Sequence, residues 1–166
     1  MTVPLEFPRP IRVSNVPATG LAVRLEASPA ECAALAARLG LLALYGFWAE
    51  LRLRPDSSGA IQVSGALDAS VEQACVVSLE PVAQRVHEPL TLRILREGEV
   101  PSEAPDAEDE VETVGGMAEL GEVLAQLLAL ALDPYPRLEG AELPGQATDD
   151  TAGPFAALSR LRPPRP

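Results

Sequence analysis

Few side chains in this 166-residue chain are equipped for chemistry. His87 is the single histidine. No serine and aspartate stand around it with the spacing of a nucleophilic triad, and no partner gives it the spacing of a metal site. It reads as a polar residue on a strand edge. Carboxylates cluster only in 97–112, a stretch that also holds Pro101 and Pro105. Acid–base catalysis needs carboxylates held rigidly, and a solvated run does not hold them. Glu50, Asp68, Glu72 and Glu80 are isolated from one another in the sequence. No GxxxxGKS/T, GxGxxG or HExxH motif is present, and Gly115-Gly116 reads as a hinge rather than a phosphate cradle. Arg52 and Arg54 project from one strand face, where they could touch phosphate. Glu50 stands beside them, so the face reads as mixed and solvated. Cys75 ends a strand-like run and reads as a small buried hydrophobe. On that reading Cys75→Ser costs more than Cys75→Ala, because a hydroxyl is buried. The expectation is a protein with no catalytic, cofactor-binding or metal site.

Composition bounds the class. Apolar residues make up 47% of the chain, enough for most of it to fold. All 13 basic residues are arginine, a bias typical of GC-rich bacterial genomes. The formal charge is −11, which excludes a globally basic nucleic-acid binder. That charge is unevenly placed: residues 1–96 are balanced, and the whole excess lies in 97–166. The N-terminus carries prolines where a signal peptide has its apolar region. The longest apolar stretch, 123–132, is too short to span a bilayer. Cys32 and Cys75 have neither disulfide-framework nor zinc spacing. A cytoplasmic protein with reduced thiols is expected, with no membrane partner.

The elements that position these residues follow from periodicity. Leu21, Val23 and Leu25 alternate with Ala22, Arg24 and Glu26, the pattern of a half-buried strand. A helix is predicted over 29–39. Ser28 is its N-cap, Pro29 fits the first turn, Glu31 completes a capping box and Gly40 stops it. Phe47, Ala49, Leu51 and Leu53 alternate with Trp48, Glu50, Arg52 and Arg54. After a turn at 55–59, Ile61, Val63, Gly65, Leu67, Ala69 and Val71 alternate with polar or small residues. Together these predict an antiparallel hairpin with one face in a core, and Gly65 marks a candidate bulge. A further extended run covers 84–95, and a leucine-rich helix about 118–132. The fold class is α+β: an antiparallel β-sheet packed with one or two helices, with an acidic disordered linker and a C-terminal tail. The organisation is one domain over 1–138, comprising a sheet region over 1–96, an acidic linker 97–116 and the leucine-rich helix 117–133. A mostly disordered tail occupies 139–166, with a short helix near 155–161.

Three segments carry a family resemblance. Cys75-Val76-Val77-Ser78-Leu79-Glu80-Pro81-Val82 resembles a motif of the YceD-like family, the large ribosomal RNA subunit accumulation proteins, a domain of unknown function. Members usually carry Cys-x-x-Cys at a strand end, followed within a few residues by proline and an apolar residue. Cys75 matches the first cysteine, Ser78 stands in place of the second, and Pro81-Val82 fits the tail. Residues 122–132 followed by Pro134 resemble the family's acidic-then-leucine helix. Gly153-Pro154-Phe155-Ala156-Ala157-Leu158-Ser159-Arg160-Leu161 resembles its Asn-Pro-Phe-Ala-x-Leu-x-x-Leu ending. The resemblance covers roughly 9–161. Many members carry further cysteines after the leucine helix, which with Cys-x-x-Cys could bind a metal. This chain has none there, and a thiolate zinc site takes four ligands, so no metal is expected.

The resemblance implies a non-catalytic factor in ribosome biogenesis, supporting synthesis, processing or accumulation of large-subunit ribosomal RNA. The implied partner is a ribosomal RNA precursor or a basic ribosomal protein of the large subunit. The negative charge disfavours direct RNA binding, and the acidic segment is expected to recruit the basic protein, because the arginines are interleaved with Glu50 and form no continuous basic stripe. Its alternative role is to fold back and shield an arginine face built from residues such as Arg52, Arg54 or Arg93. A general protein-interaction module, docking through the leucine-rich helix or the acidic segment, is the second functional reading. The third is an RNA-processing hydrolase using acidic residues and a divalent metal. The oligomeric state stays open.

Overall fold

A computed structural model describes residues 5–102, 104 and 108–141. Strands β1 (Pro10–Arg12) and β2 (Leu21–Glu26) precede helix α1 (Pro29–Leu39). Three long strands follow, β3 (Ala43–Pro55), β4 (Ile61–Ala74) and β5 (Pro81–Ile94). Then come two short strands, β6 (Asp109–Val111) and β7 (Met117–Glu119), and helix α2 (Leu120–Ala131). The main sheet has the order β2-β3-β4-β5-β6; β2 to β5 are antiparallel neighbours and β6 runs parallel to β5. β1 and β7 form a separate antiparallel pair. The α+β class is as the sequence predicts.

The period-two pattern places one side chain in two on the inner face of the sheet. Phe47, Leu51, Leu53, Ile61, Leu67, Leu92 and Ile94 are all buried there. Leu35 of α1 and Leu120, Leu124 and Leu128 of α2 join the same core. Each such side chain contributes about 1.5–3 kcal/mol of burial. Phe7 completes the core, its ring 5.2 Å from that of Phe47. The Ser28–Glu31 capping box forms as expected. Glu31 also pairs with Arg9 at 2.8 Å. That guanidinium holds the Glu31 carboxyl down to about 2. Arg38 of α1 bridges Glu6 and Glu122, tying both helices to the N-terminal segment.

Three expectations are revised. The bulge lies between Leu44 and Gly46, whereas Gly65 keeps regular register with Leu51 and Leu90. A glycine stands there because a Cβ would run into the Glu50 carbonyl of the adjacent strand. The leucine-rich helix starts at Leu120, because Ala118 and Glu119 pair with β1.

The third revision concerns the acidic linker, within which Asp109–Val111 is a strand of the main sheet. Net charge hides its two anchors: Val111 and Thr113 are buried, and the Thr113 hydroxyl donates to the Leu95 carbonyl at 2.6 Å. The tail from 142 onward, with the expected short helix near 155–161 and Pro154 and Phe155, lies outside the described residues. No helix among the described residues is long and apolar enough to cross a membrane.

The Leu95 amide donates to the Val111 carbonyl at 2.8 Å. Its hydrogen exchange is therefore expected to be slow, comparable with amides in the middle of the β4–β5 ladder. Exchange at the rate of the exposed Ser57 turn would show that β6 does not hold.

Candidate functional site

Two regions bring the singled-out residues together. The first is the β4–β5 connection, where Cys75 follows β4 and Pro81 opens β5. Pro81 takes the first strand position, where a missing N–H is tolerated. It pairs with Ala74, and Val82 pairs with Gln73. The loop closes through Cys75 N–H to the Glu80 carbonyl at 2.8 Å and Leu79 N–H to the Cys75 carbonyl at 2.9 Å. Leu79 takes the left-handed conformation, with φ 63°, to make this turn.

Cys75 is fully buried, as expected of a packed residue. Its sulfur does more than pack. Backbone N–H groups of Val77, Ser78 and Leu138 donate to Sγ at 3.4, 3.5 and 3.4 Å. The Leu138 donor comes from the segment after α2, which also accepts a bond from Val76 N–H at the Pro136 carbonyl. The Ser78 hydroxyl, first, and these amides lower the thiol to about 6 against the opposing effect of desolvation. Converging N–H groups favour the charged form of the sulfur they surround. Sequence spacing alone could not foretell the Leu138 contact, because it joins residues 63 positions apart.

Tested as a metal centre, the corner does not fit. A structural zinc site takes four ligands, whereas Cys75 is the one sulfur here and Ser78 replaces the second. Among the described residues no three His, Cys, Asp or Glu side chains are grouped to hold a metal. Cys32 lies elsewhere, buried in α1, and desolvation pushes its thiol up.

The second region is the outer face of the main sheet, where the even-numbered side chains of β3 beyond its bulge, from Trp48 onward, and those of β4 point. Arg24 pairs there with Glu26 and Glu50, and His87 Nδ1 lies 2.8 Å from Asp68. His87 is exposed, in keeping with a strand-edge residue. Arg93 faces Asp56, Glu99 and Glu110 at 3.4, 2.8 and 3.5 Å. The Glu99 carboxylate raises Arg93 above its usual range. It is itself lowered, first by the Arg96 amide and next by the Arg93 guanidinium. Gln62 donates to Glu108 at 2.7 Å. The Glu97 carboxylate accepts from Gly115 and Gly116 N–H at 2.9 and 2.6 Å. The glycine pair expected as a hinge thus forms a small anion cradle with both φ positive, filled by the chain's own carboxylate. Four acids of the expected linker face the protein itself. Arg52 and Arg54 lie on the same sheet face, exposed, and form no ion pair among the described residues.

A long antiparallel sheet, backed by two helices and closed by a sulfur-centred corner, defines an α+β domain whose Cys75 corner follows the second long strand of its hairpin. The chain belongs to the YceD family: the model of the large ribosomal RNA subunit accumulation protein YceD matches residues 63–161. The match begins within β4, inside the broader span expected from the sequence motifs. No curated protein and no solved structure matches the chain.

Proposed function

We propose that the protein is a non-catalytic ribosome-biogenesis factor, supporting synthesis, processing or accumulation of large-subunit ribosomal RNA by binding rather than by chemistry. The observation that carries this reading is the family match over residues 63–161. It is supported by the state of Cys75, the most chemically distinctive group, which is fully buried with its sulfur engaged by backbone donors. The leucines of α2 argue against docking through that helix, since Leu120, Leu124 and Leu128 lie in the protein's own core. Recruitment of a basic ribosomal protein by the acidic segment is weakened by Glu97, Glu99, Glu108 and Glu110, which face internal partners. A large-subunit ribosomal RNA precursor is the favoured partner.

The test is depletion of the protein in its own cells, followed by the ratio of large- to small-subunit ribosomal RNA. The ratio is expected to fall and to recover with the wild-type chain. A ratio unchanged by depletion would overturn the proposal.

A further inference from the structure

We infer that the β2–β4 half of the outer sheet face, centred on Arg52 and Arg54, is a seat for the phosphate backbone of RNA; this rests on the function proposed above. The two arginines are two positions apart on β3, so their Cα atoms are about 6.8 Å apart along one face. That separation suits successive phosphates of an extended strand. Both are exposed and without an ion-pair partner among the described residues. The contrast with Arg93, enclosed by three carboxylates, divides the face electrostatically.

The floor between the strands is low. Ala22, Ser64 and Gly65 line a concavity of about 520 Å³ bordered by Arg24 and Arg52. A second hollow of about 250 Å³, lined by Thr19, Gly20 and Arg54, adjoins it through Ala22 and Arg52. Small side chains let a sugar–phosphate backbone approach, and Ser64 pairs across the strands with Arg52, adding a neutral donor. Among the acids on this half, Glu50 and Glu26 are held by Arg24 at 2.7 and 3.2 Å, and Asp68 lies 2.8 Å from His87. Glu99 and Glu110 engage Arg93 on β5, and Glu108 is taken up by Gln62, the cross-strand neighbour of Arg54, rather than by Arg54 itself. Trp48 on this face lies beneath Arg24, whose guanidinium is 5.5 Å from the ring centroid. The unpaired guanidiniums of Arg52 and Arg54 have the fork geometry that binds phosphate through two donors. A net charge of −11 does not forbid this, because exposed charges beyond about 10 Å are screened at ~0.1 M salt.

The experiment measures binding of the full chain to a large-subunit precursor transcript from low to moderate salt. It compares wild type, Arg52→Gln/Arg54→Gln, Arg52→Lys/Arg54→Lys and, as a control on the other sheet, Arg12→Gln. The glutamine pair is expected to bind at least about tenfold more weakly at low salt. Its log–log salt slope should fall by about 1.4, the loss of two single-strand phosphate contacts. The lysine pair keeps the slope, Arg12→Gln binds as wild type, and all four share one melting midpoint. Equal affinity and slope in wild type and the glutamine pair would overturn the inference. So would absence of RNA binding by wild type, or loss of a protein partner in the glutamine pair with RNA binding unchanged. The cellular ribosomal RNA ratio after depletion judges the broader function separately.

Discussion

Gly65→Ala is expected to destabilise the protein by more than about 3 kcal/mol, enough to unfold a marginal domain. The cause is space rather than backbone conformation. Gly65 lies mid-strand in regular register, and the added Cβ would collide with the Glu50 carbonyl oxygen and lie 3.0 Å from Leu51 Cα. These are backbone atoms of the central strand pair, so no side chain can turn aside. Gly121→Ala is expected to behave likewise, since its Cβ would strike the Phe7 carbonyl and stand 2.9 Å from the Arg9 amide. Gly59→Ala is the control. Gly59 has φ +87° but only the Arg96 side chain nearby, at 3.5 Å, so its cost is backbone strain of about 1 kcal/mol. Chemical denaturation of the three variants gives the comparison. Gly65→Ala within about 1 kcal/mol of wild type would mean that the β3–β4 approach is looser than the structure shows.

The same glycine illustrates what is legible in the sequence. Alternation over 61–71 fixes the strand and its buried face, because the pleat has period two. It does not report how close the neighbouring backbone comes, so from the sequence the glycine reads as a bulge. The capping box of α1 is readable because its partners are three residues apart. β6 is not readable, because a three-residue strand has no periodicity and its neighbours carry most of the visible charge. What orders that segment is non-local: Leu95 to Val111, Thr113 to Leu95, and Glu99 to Arg93. Deletion of 99–112 removes a sheet strand as well as charge, so its effect on binding must be separated from its effect on folding. At the corner, the motif residues Cys75, Ser78, Pro81 and Val82 are legible individually. The sulfur's third donor, on Leu138, is not.

Cys75→Ala is expected to be the more damaging of the two small replacements, reversing the order that simple burial suggests. Burial alone favours alanine, since serine adds a hydroxyl to an apolar site. Here the site presents donors: Val77, Ser78 and Leu138 amides all point at Sγ. Alanine leaves them without that acceptor, whereas a serine oxygen can still accept. Cys75→Ala is expected to lower the melting midpoint by about 10 °C, and Cys75→Ser by about half as much. The pH dependence separates a thiolate from a mere packed sulfur. The folded thiol is lowered to about 6, whereas an unfolded thiol titrates near about 8.5. Between these values the unfolded chain holds a proton that the folded chain has released, so stability rises with pH. The contribution is complete above about pH 8.5, declines as pH falls through the window, and is absent below the folded value of about 6. Cys32 is pushed the other way by burial, so it does not titrate in this window. The midpoint difference between wild type and Cys75→Ser should therefore widen from pH 6 to about 8.5 and level off on either side. Thiolate absorbance of the folded protein should appear over the lower part of the same range. A difference that stays constant with pH, together with no thiolate signal below about pH 8.5, would make Cys75 a neutral packed thiol, and the amides would then serve only to close the loop.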